Sequence, residues 1–506
     1  MIDLLYLEFS PSLLIIVFTI FLLSFLVCKR HPRKPYPPGP KGWPLLGCVA
    51  MADKLTHRAL DKLAAQYGDI VHLRIGFLHV ISISSPNVAQ QILQAQDHIF
   101  SNRPANNAVT YLTYNRADMV FANCGPFWRQ MRKLYVTKLF SPRRVESWDS
   151  IRIEVDKMIS AVATKAGTVV NIGDLMFRLT QSIVYRAAFG SGLSEGQDEF
   201  IKIVRDISKL FCLFDFSDFF PFIKWIDPRG VNVRLRATRA ALDRFIDAVI
   251  AEHEVRREVE SCGRDMVDEL MSFWSEDDKV FEDGNGSKKS INFTRDNVKA
   301  VIMDIMFGGT ETVASGIEWT LSELLRNPVH LKRVQQELAD IVGQDHQVDE
   351  ADLKNLTYLN CCIKEALRLH PPIPILLHET AVDATVNSYH IPKRSRVMIN
   401  VWAISRDKQA WEDPEEFKPE RFLKDEGPDF NGQYFEFITF GSGRRSCPGM
   451  YFGLYTVELA LACLLHGFLW ELPDGMSPEK MDMNDVPGLG SIRSNRLAAV
   501  PKLRLG

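Results

Sequence analysis

The ten residues from Phe440 to Gly449 (FGSGRRSCPG) constrain this chain most, because they place Cys447 in a turn that few residue types can form. Pro448 suits the first position of a helix, and the apolar run from Tyr451 to Leu465 predicts that helix. Cys447 is then expected at a helix N-terminus, where free N–H groups favour the thiolate form. Glycine lets a backbone turn tightly and approach a flat ligand, and the turn holds Gly441, Gly443 and Gly449.

A thiolate in such a turn is a ligand for haem iron, and Arg445 is placed to reach a haem propionate. The alternative interpretation is a free cysteine in a glycine-rich turn. The pattern F-x-x-G-x-R-x-C-x-G resembles that of the cytochrome P-450 haem-thiolate mono-oxygenases, and its spacing is specific. The resemblance implies haem b as the cofactor and Cys447 as the metal ligand. It also assigns cofactor-binding positions to Phe440, Gly441 and Gly449.

Composition excludes several other classes of protein. A chain of 506 residues with 46% hydrophobic content can bury one very large core or a few smaller ones. The net charge is −3 and the basic residues are not massed on one segment, so we predict no nucleic-acid partner. Nine cysteines without regular spacing argue against a disulfide scaffold, and no C-x-x-C pair indicates zinc.

The N-terminal region predicts a membrane anchor. Residues 9–28 are almost wholly apolar, uncharged and long enough to cross a bilayer as one helix. Acidic residues precede this run and basic residues follow it, which indicates a single pass with the remainder in the cytoplasm. A cleaved signal peptide is the alternative, but the run lacks an A-x-A-like exit. Five prolines then make residues 29–42 a stiff hinge before a catalytic domain at 43–506.

The rest of the chain predicts a mainly α fold with small β-sheets. Alternating residues from Asp69 to Ser84, on either side of Gly76, predict a hairpin. The polar stretch from Ser261 to Phe293 indicates a surface loop. Helical periodicity covers residues 152–166, 174–189, 200–213 and 231–259. The resemblance implies the cytochrome P-450 fold for this arrangement.

One long helix is predicted from Thr294, its cap, to Leu325, before Asn327-Pro328. Adjacent glycines in its middle, Gly308-Gly309, cost helix stability, so we expect a kink that opens a groove for dioxygen. The alternative is a locally frayed helix. Thr312 offers a hydroxyl and Glu311 an acid, which together can relay protons during oxygen activation. We therefore predict Thr312 and Glu311 as the catalytic residues.

Further positions are implied by the resemblance. Glu365 and Arg368 lie three residues apart on a predicted helix, and with Arg421 they match the family's buried structural network. Trp128 and Arg132 match its W-x-x-x-R helix, which contacts haem propionates. His378 stands where a third propionate partner is common, although a solvated loop histidine is an equal alternative.

Electrons must come from another protein, because the chain has neither a G-x-G-x-x-G turn nor a Walker loop. The resemblance implies NADPH as the electron source, NADPH-cytochrome P-450 reductase as the partner and the endoplasmic reticulum membrane as the location. A basic patch could dock an acidic reductase, although a solvated basic face is an equal alternative. The patch comprises Arg129, Lys133, Lys138, Arg143 and Arg144.

Within the family the chain most resembles the plant ferulate or coniferaldehyde 5-hydroxylases. Segments that carry this likeness begin at Tyr36, Leu112, Trp225, Met306, Leu367 and Glu471. The likeness implies ring hydroxylation of a small phenylpropanoid on the path to syringyl lignin. Aromatic residues in the expected substrate regions could stack such a ring, or could simply be core. These residues, with one leucine, are Tyr111, Tyr114, Phe121, Phe211, Phe214, Phe216 and Leu376.

The chain departs from that branch at Thr439, Gly316 and residues 487–493. The last of these usually lines the substrate pocket, so the ring position and the preferred side chain stay open. A paralogue that hydroxylates p-coumaraldehyde at the 3-position is one alternative. A haem-thiolate isomerase or dehydratase and a non-catalytic haem sensor are the others, but peroxide rearrangement needs no proton relay of the kind predicted here.

Overall fold

The computed structural model describes Thr19 and residues 34–504, except 45, 147–148, 191–195, 212, 214–217, 220–226, 228–229, 260–264, 275–279, 283–287, 291–292, 345, 424–426, 487 and 489. The anchor predicted over residues 9–28 lies outside the described residues apart from Thr19, so it stays a prediction. Two other helices are long and apolar enough to cross a membrane, Arg295–Arg326 and Met450–Gly467. Both are mostly buried, as core helices are.

The predicted hairpin is confirmed. Strands β1 (Ile70–Ile75) and β2 (Leu78–Ile83) pair antiparallel, with Gly76 in the turn at a φ of 57°. β2 also pairs in parallel with β9 (Arg396–Asn400). β6 (Ile375–Glu379) pairs antiparallel with the other edge of β9 and completes this four-stranded sheet. Apolar residues of the sheet pack with residues of neighbouring helices into a small cluster that is separate from the main core.

The remaining strands form four short sheets. β3 (Val170–Asn171) and β10 (Phe468–Glu471) flank β13 (Ala498–Leu503). The three two-stranded sheets pair β4 (Val280–Glu282) with β5 (Lys288–Ser290), β7 (Ala384–Val386) with β8 (Tyr389–Ile391), and β11 (Asp485–Val486) with β12 (Ile492–Arg493). None exceeds three strands, so the described fold is mainly helical, as predicted.

Helices make up most of the described chain. The first half contains α1 (His57–Tyr67), α2 (Pro86–Gln90), α3 (Asp97–Phe100), α4 (Asn107–Leu112), α5 (Pro126–Leu134), α6 (Pro142–Glu146), α7 (Ser150–Ala163), α8 (Ile172–Phe189), α9 (Gln197–Phe211) and α10 (Val231–Val259). The second half contains α11 (Met266–Trp274), α12 (Arg295–Gly308), α13 (Glu311–Arg326), α14 (Pro328–Ile341), α15 (Glu350–Leu353), α16 (Thr357–Leu369), α17 (Val401–Ile404) and α18 (Met450–Gly467). The four helices predicted before residue 260 are confirmed within about three residues at each end.

The surface loop predicted from Ser261 to Phe293 is wrong for its described part. Helix α11 and the β4–β5 hairpin occupy that stretch, although several of its residues lie outside the described ones. The sequence MVDELMSFW carries one apolar helical face, which the polar residues downstream obscure. That face is buried at Met266, Val267, Leu270 and Met271.

The long helix predicted from Thr294 is present, and its predicted interruption is real. Thr294 caps α12 through a capping box with Asn297. The helix then breaks at Gly309-Thr310, where Thr310 has φ −98° and ψ −74°, and resumes as α13 until Asn327. Both halves are buried on nearly every side, so the break exposes backbone inside the molecule rather than at its surface.

Helix α18 begins later than predicted. Pro448 and Gly449 form a turn, Gly449 is the residue before the helix, and Met450 is its first residue. Pro448 is therefore wrong as the first helical position, because the Cys447 backbone N–H is held by the Phe440 carbonyl at 2.8 Å and the chain needs two more residues to turn. Helix α18 packs against α13, which brings the cysteine turn close to the helix break.

A buried ion network holds α16 to the segment that precedes the cysteine turn. Arg368 Nε and Nη2 donate to Glu365 Oε2 and Oε1 at 2.7 and 2.9 Å, and Arg421 Nε donates to Glu365 Oε1 at 3.0 Å. The guanidinium of Arg368 also donates to the carbonyls of Ser405 and Pro414, both at 2.7 Å. The structure thus brings together the three residues assigned to this network, and each charge has partners.

Removing one member should be costly. Glu365→Gln leaves two guanidinium groups short of charge, so we expect the free energy of unfolding to fall by about 3–5 kcal/mol. The midpoint of urea unfolding, followed by tryptophan fluorescence, measures this change. The matched control is Glu471→Gln, which breaks an exposed ion pair with Lys502 and should cost less than about 1 kcal/mol. Equal losses in the two variants would contradict a structural role.

Candidate active site

The turn around Cys447 is rigid and glycine-dependent. Gly441 and Gly443 have φ values of 72° and 67°, in the left-handed region. A Cβ atom at Gly443 would lie 2.4 Å from the Leu93 carbonyl oxygen, so no larger residue fits there. The turn therefore fixes the direction of the cysteine side chain.

The thiol of Cys447 needs a partner to ionise. Burial raises its pKa, whereas the backbone N–H of Gly449 and the positive charge of Arg132 lower it. Its side chain nevertheless keeps exposed surface, so it faces an opening and not a packed core. A metal ion at that opening would deprotonate the thiol outright, which is the state a haem-thiolate ligand requires.

The break between α12 and α13 lines open space. A Cβ atom at Gly308 would contact nothing within 4 Å, whereas one at Gly309 would lie 2.9 Å from a Val184 methyl group. Glycine is thus needed at the two positions for different reasons. Gly308 faces the opening, and Gly309 allows close packing of the helices. The Thr312 hydroxyl donates to the Gly308 carbonyl oxygen at 2.8 Å, so it lies at the edge of the same opening.

The helix break and the cysteine turn adjoin each other. A Cβ atom at Gly309 would lie 3.9 Å from the ring of Phe452, in the first turn of α18. At the next residue of that helix, a Cβ atom at Gly453 would lie 3.6 Å from a Val313 methyl group. Cys447 and Thr312 therefore belong to two elements in direct contact, on either side of where a flat group would bind.

Glu311, beside Thr312, is partly buried in this region. Burial raises the pKa of its carboxyl group, while the Ser208 hydroxyl and the positive charges of Arg496 and Arg205 lower it. The net shift is upward, so Glu311 holds a proton to higher pH than an exposed glutamate does. An acid of this kind is suited to passing a proton to a neighbouring hydroxyl.

Trp128 and Arg132 lie on α5, next to the cysteine turn. Trp128 is buried, yet its indole Nε1–H has no acceptor in the described part of the chain. Arg132 Nη2 donates to Ser446 Oγ at 3.0 Å, and burial lowers the pKa of its guanidinium while the charge of Cys447 raises it. A buried donor without an acceptor is costly, so the indole calls for an acceptor that the chain itself does not supply.

Arg445 serves first as a scaffold. Its Nε donates to the Ser101 carbonyl oxygen at 2.7 Å, and its Nη atoms donate to carbonyls of the segment 119–122. The guanidinium also lies 4.6 Å above the Trp128 ring. Burial lowers the pKa of Arg445 to about 9, so it stays charged at neutral pH. Its contact with a propionate stays a prediction.

His378 lies on β6 and is 3% exposed, so the interpretation as a solvated loop histidine is wrong. Its Nδ1 donates to the Phe100 carbonyl oxygen at 2.9 Å. Burial lowers the pKa of His378 to about 3, helped by the charge of Arg103, which keeps the ring neutral. The contact with haem predicted for it stays a prediction.

Arg103 is a residue that sequence reasoning missed. Its Nη1 donates to the Leu377 carbonyl and its Nε is buried without an acceptor among the described residues. Burial lowers its pKa to about 10, so the group is a buried cation. Nothing in the local sequence SNRPAN signals this position, because the contacts come from a strand more than 270 residues further along the chain.

Aromatic side chains wall one side of the opening. The Phe121 ring meets Phe211 edge-on at a centroid distance of 5.5 Å, and Phe211 meets Phe307 at 5.1 Å. Phe307 immediately precedes Gly308. Phe214 and Phe216 lie outside the described residues.

The two tyrosines predicted for the pocket have other partners. The Tyr114 hydroxyl donates to Asp243 Oδ1 at 2.7 Å, and the Arg239 guanidinium lies 3.4 Å above its ring. Tyr111 is exposed, and its carbonyl accepts from Arg239. Both residues therefore fasten α4 and the following turn to α10.

The segment that departs from the branch pattern is tied to α13. The Ser491 carbonyl oxygen accepts from Ser315 Oγ at 2.7 Å and from Trp319 Nε1 at 2.8 Å, and its N–H donates to the Pro372 carbonyl at 2.9 Å. Pro487 lies outside the described residues. At Gly316 a Cβ atom would lie 3.4 Å from the nearest Leu367 methyl group, so the alanine usual at this position would fit.

These features fit haem. A cysteine that faces an opening, a glycine whose missing side chain leaves space, and two buried donors without acceptors are the requirements of a flat macrocycle with acidic side groups. Cys447 would ligate the iron, and Trp128 with the cationic groups of Arg132 and Arg103 would face the propionates. Trp128 and Arg132 were predicted for this role from the sequence and Arg103 was not, and the contacts of all three with haem stay predictions.

Comparison with known proteins agrees with this geometry. Residues 37–497 match the family model described as cytochrome P450. The chain is 56% identical to cytochrome P450 84A1 of Arabidopsis thaliana over 98% of this chain and 96% of that protein. It is 37% identical to a flavonoid 3'-monooxygenase of the same plant over 94% and 93% of the two chains.

A solved structure shows the same fold. A zebra fish cytochrome P450 with abiraterone superimposes with a TM-score of 0.74 at 23% identity, covering 89% of this chain and 99% of that one. The family match over most of the length, the relative at 56% identity and the cysteine turn agree with one another. The chain therefore belongs to the cytochrome P450 family and is a haem-thiolate mono-oxygenase.

Proposed function

We propose that this enzyme hydroxylates the aromatic ring of a phenylpropanoid at the 5-position, with coniferaldehyde, coniferyl alcohol or ferulate as substrate on the path to syringyl lignin. The observation that carries the proposal is the aromatic wall formed by Phe121, Phe211 and Phe307 beside Gly308. Edge-on aromatic pairs of this kind accept a further planar ring. The likeness to the ferulate or coniferaldehyde 5-hydroxylases supports the substrate class.

Haem, when bound, activates dioxygen and inserts one oxygen atom into a C–H bond of the substrate. The cysteine turn holds Cys447 so that its thiolate points at the opening, and the Gly449 N–H stabilises the thiolate. Thr312 carries a hydroxyl at the edge of the opening and Glu311 a carboxyl one residue away. Protons can pass from the carboxyl to the hydroxyl and on to the reaction site, while the buried surroundings exclude bulk water.

The substrate ring must be held with one C–H bond near the reacting oxygen. A displacement of about 1 Å can cost on the order of a hundredfold in rate, so the pocket walls decide the ring position. Phe121, Phe211 and Phe307 are proposed to form one wall, and the segment around Ser491, which contacts Ser315 and Trp319 of α13, is proposed to form another. The segment around Ser491 departs from the branch pattern. We therefore propose that this segment determines whether the substrate must already carry a methoxyl group.

Electrons are proposed to come from NADPH through NADPH-cytochrome P-450 reductase, in the endoplasmic reticulum membrane. Arg129, Lys133 and Lys138 are exposed on α5 and the turn after it, with Arg143 on the next helix. Such a surface suits an acidic flavoprotein domain, and docking there would bring the electron donor to the side of the molecule that carries the cysteine turn.

Replacing the proposed iron ligand gives the first test. Cys447→Ala should abolish the red-shifted band of the reduced carbon monoxide complex, because no thiolate remains to bind the iron. The spectrum of the purified protein reconstituted with haem measures this. Cys463→Ala is the control, since that cysteine lies on α18 away from the turn and its variant should keep the band. An unchanged band in Cys447→Ala would overturn the assignment.

Thr312→Ala should keep haem but convert much of the NADPH consumed into hydrogen peroxide, because the proton relay is broken. The ratio of hydroxylated product to NADPH measures the coupling. Thr320→Ala is a matched control: the Thr320 hydroxyl donates to the Gly316 carbonyl at 2.7 Å on the same helix, as Thr312 does to Gly308. Uncoupling in both variants would indicate a helix effect, and equal product per NADPH in Thr312→Ala would exclude the relay.

Substrate choice is tested in microsomes with added reductase. Coniferaldehyde should give the 5-hydroxylated ring, and p-coumaraldehyde should react more slowly by roughly tenfold or more, because it fills the pocket less completely. Mass and regiochemistry of the products measure this. A preference for 3-hydroxylation of p-coumaraldehyde would favour the paralogue. Oxidation of the side chain, or no turnover of either compound, would contradict a phenylpropanoid ring hydroxylase.

A further inference from the structure

Two carboxyl groups from distant parts of the sequence meet in the core beside the site. Asp118 lies just before the segment 119–122, and Asp304 lies on α12, two turns before Thr312. Asp118 is 0% exposed and Asp304 is 6% exposed. Neither residue has a role in the mechanism described above. Burying two acids costs free energy unless each is hydrogen-bonded or neutralised.

The hydrogen bonds around the pair leave one oxygen without a donor. Asp304 Oδ2 accepts from the backbone N–H of Met119 at 3.1 Å, from that of Val120 at 3.3 Å and from the Tyr135 hydroxyl at 2.8 Å. Asp118 Oδ2 accepts from the Phe121 N–H at 3.0 Å. Asp118 Oδ1 is buried and has no donor among the described residues.

The missing donor is identified by what lies next to it. Asp304 Oδ2 accepts from the N–H of Met119, the residue that follows Asp118, so the two carboxyl groups adjoin each other. Two ionised carboxylates only accept, so a hydrogen bond between them requires a proton on one of the two. Burial raises the pKa of both groups, and the negative charge of Asp118 raises that of Asp304 further.

The charged and titratable groups that face the pair do not replace this proton. Arg116 lowers the pKa of Asp118, but its guanidinium donates to the carbonyls of Arg103 and Phe121 and to Asn123. Arg445 lies nearby, but it too donates to backbone carbonyls. Tyr135 donates its hydroxyl to Asp304, which stabilises the ionised form of that oxygen only.

We propose that Asp118 and Asp304 share one proton and act as a positioning pair that holds the segment 119–122 against α12. Arg445 holds the same segment through the carbonyls of Met119 and Val120. Phe121, which lies between these contacts, is the residue that meets Phe211 in the aromatic wall. The shared proton therefore sets the position of one wall of the substrate pocket.

Backbone strain just before Asp118 makes this restraint necessary. Tyr114, Asn115 and Arg116 have φ values of 54°, 61° and 65°, so three consecutive residues other than glycine are left-handed. Each is unfavourable, and such conformations persist only where surrounding contacts fix them. Since both raised pKa values favour the protonated pair at low pH, the restraint is present there. It is lost as the pH rises and the second proton site ionises, because two adjacent negative charges repel each other.

Infrared spectroscopy of the haem-loaded enzyme tests the proton directly. The difference spectrum of wild type minus Asp304→Asn should show the C=O band of a protonated carboxyl group, recognised by its shift in D2O. The same band should appear against Asp118→Asn. In the wild type it should disappear as the pH is raised, in parallel with faster exchange of the Met119 and Val120 amides after correction for the intrinsic effect of pH. A wild type without this titrating band would overturn the proposal even if both variants failed to fold.

The positioning role is tested by ligand binding. For the wild type, the apparent Kd of coniferaldehyde should rise roughly tenfold from about pH 6 to about pH 9. In Asp118→Asn and Asp304→Asn the amide donates permanently, so the dependence on pH should flatten. Asp296→Asn, an exposed residue of the same helix, should behave as the wild type. An unchanged alkaline loss in both Asn variants would contradict the positioning role.

The binding arm rests on the proposed phenylpropanoid substrate, whereas the infrared and exchange arms need no substrate. If coniferaldehyde does not bind but the carboxyl band titrates with the exchange of the two amides, the substrate proposal fails and the proton-sharing pair stands. If coniferaldehyde binds independently of pH and the band is absent, the pair fails and the substrate proposal stands.

Discussion

The ionisation of Cys447 is the constraint on which the rest of this structure depends. Burial alone raises the pKa of Cys447, so the thiolate exists only if nearby groups and a metal ion offset the loss of water. A single N–H from Gly449 and the charge of Arg132 are the chain's own contribution. Everything that fixes the turn, including the Glu365 network behind it, therefore serves to keep the sulfur directed at one position in an otherwise closed interior.

A haem-thiolate site also requires open space on the side of the haem position opposite the Cys447 sulfur. An unbroken helix would fill it with side chains and would keep its backbone carbonyls bonded within the helix. The break at Gly309-Thr310 prevents this, and Gly308 leaves the space free. Helix stability is lost at the two glycines, and it is recovered by burial of α12 and α13 on almost every other side. At Gly308, Gly309 and Thr310 the open space is thus gained at a loss of helix stability, whereas the rest of the two helices is well packed.

Local sequence was sufficient where the interactions are local. The hairpin around Gly76, the capping box at Thr294 and the helix break all follow from neighbouring residues, and all are present. Prediction failed at α11, whose short apolar face is surrounded by polar residues. It also failed at the start of α18, where the Phe440 carbonyl of the same turn binds the Cys447 N–H and Pro448 stays in the turn.

Contacts between distant segments explain the other omissions. Arg103 looks unremarkable in sequence, because its buried position depends on β6. Asp118 and Asp304 lie on different segments far apart in the chain, and no periodicity links them. The network of Glu365, Arg368 and Arg421 was assigned through resemblance to a family and not from spacing alone, since an acid and a base three residues apart on a helix are common at surfaces.

The segment that carries Phe121 and the segment around Ser491 are both anchored to the broken helix pair α12 and α13. Asp304 on α12 receives the backbone of the segment that carries Phe121, and Ser315 and Trp319 on α13 hold the carbonyl of Ser491. These anchors stand on opposite sides of the helix break, so the distance between the walls depends on how the two helices meet. Under the proposed function, the break that leaves space for oxygen also sets the width available to the substrate. A change in either wall is then expected to alter which ring position is hydroxylated, while the cysteine turn stays as it is.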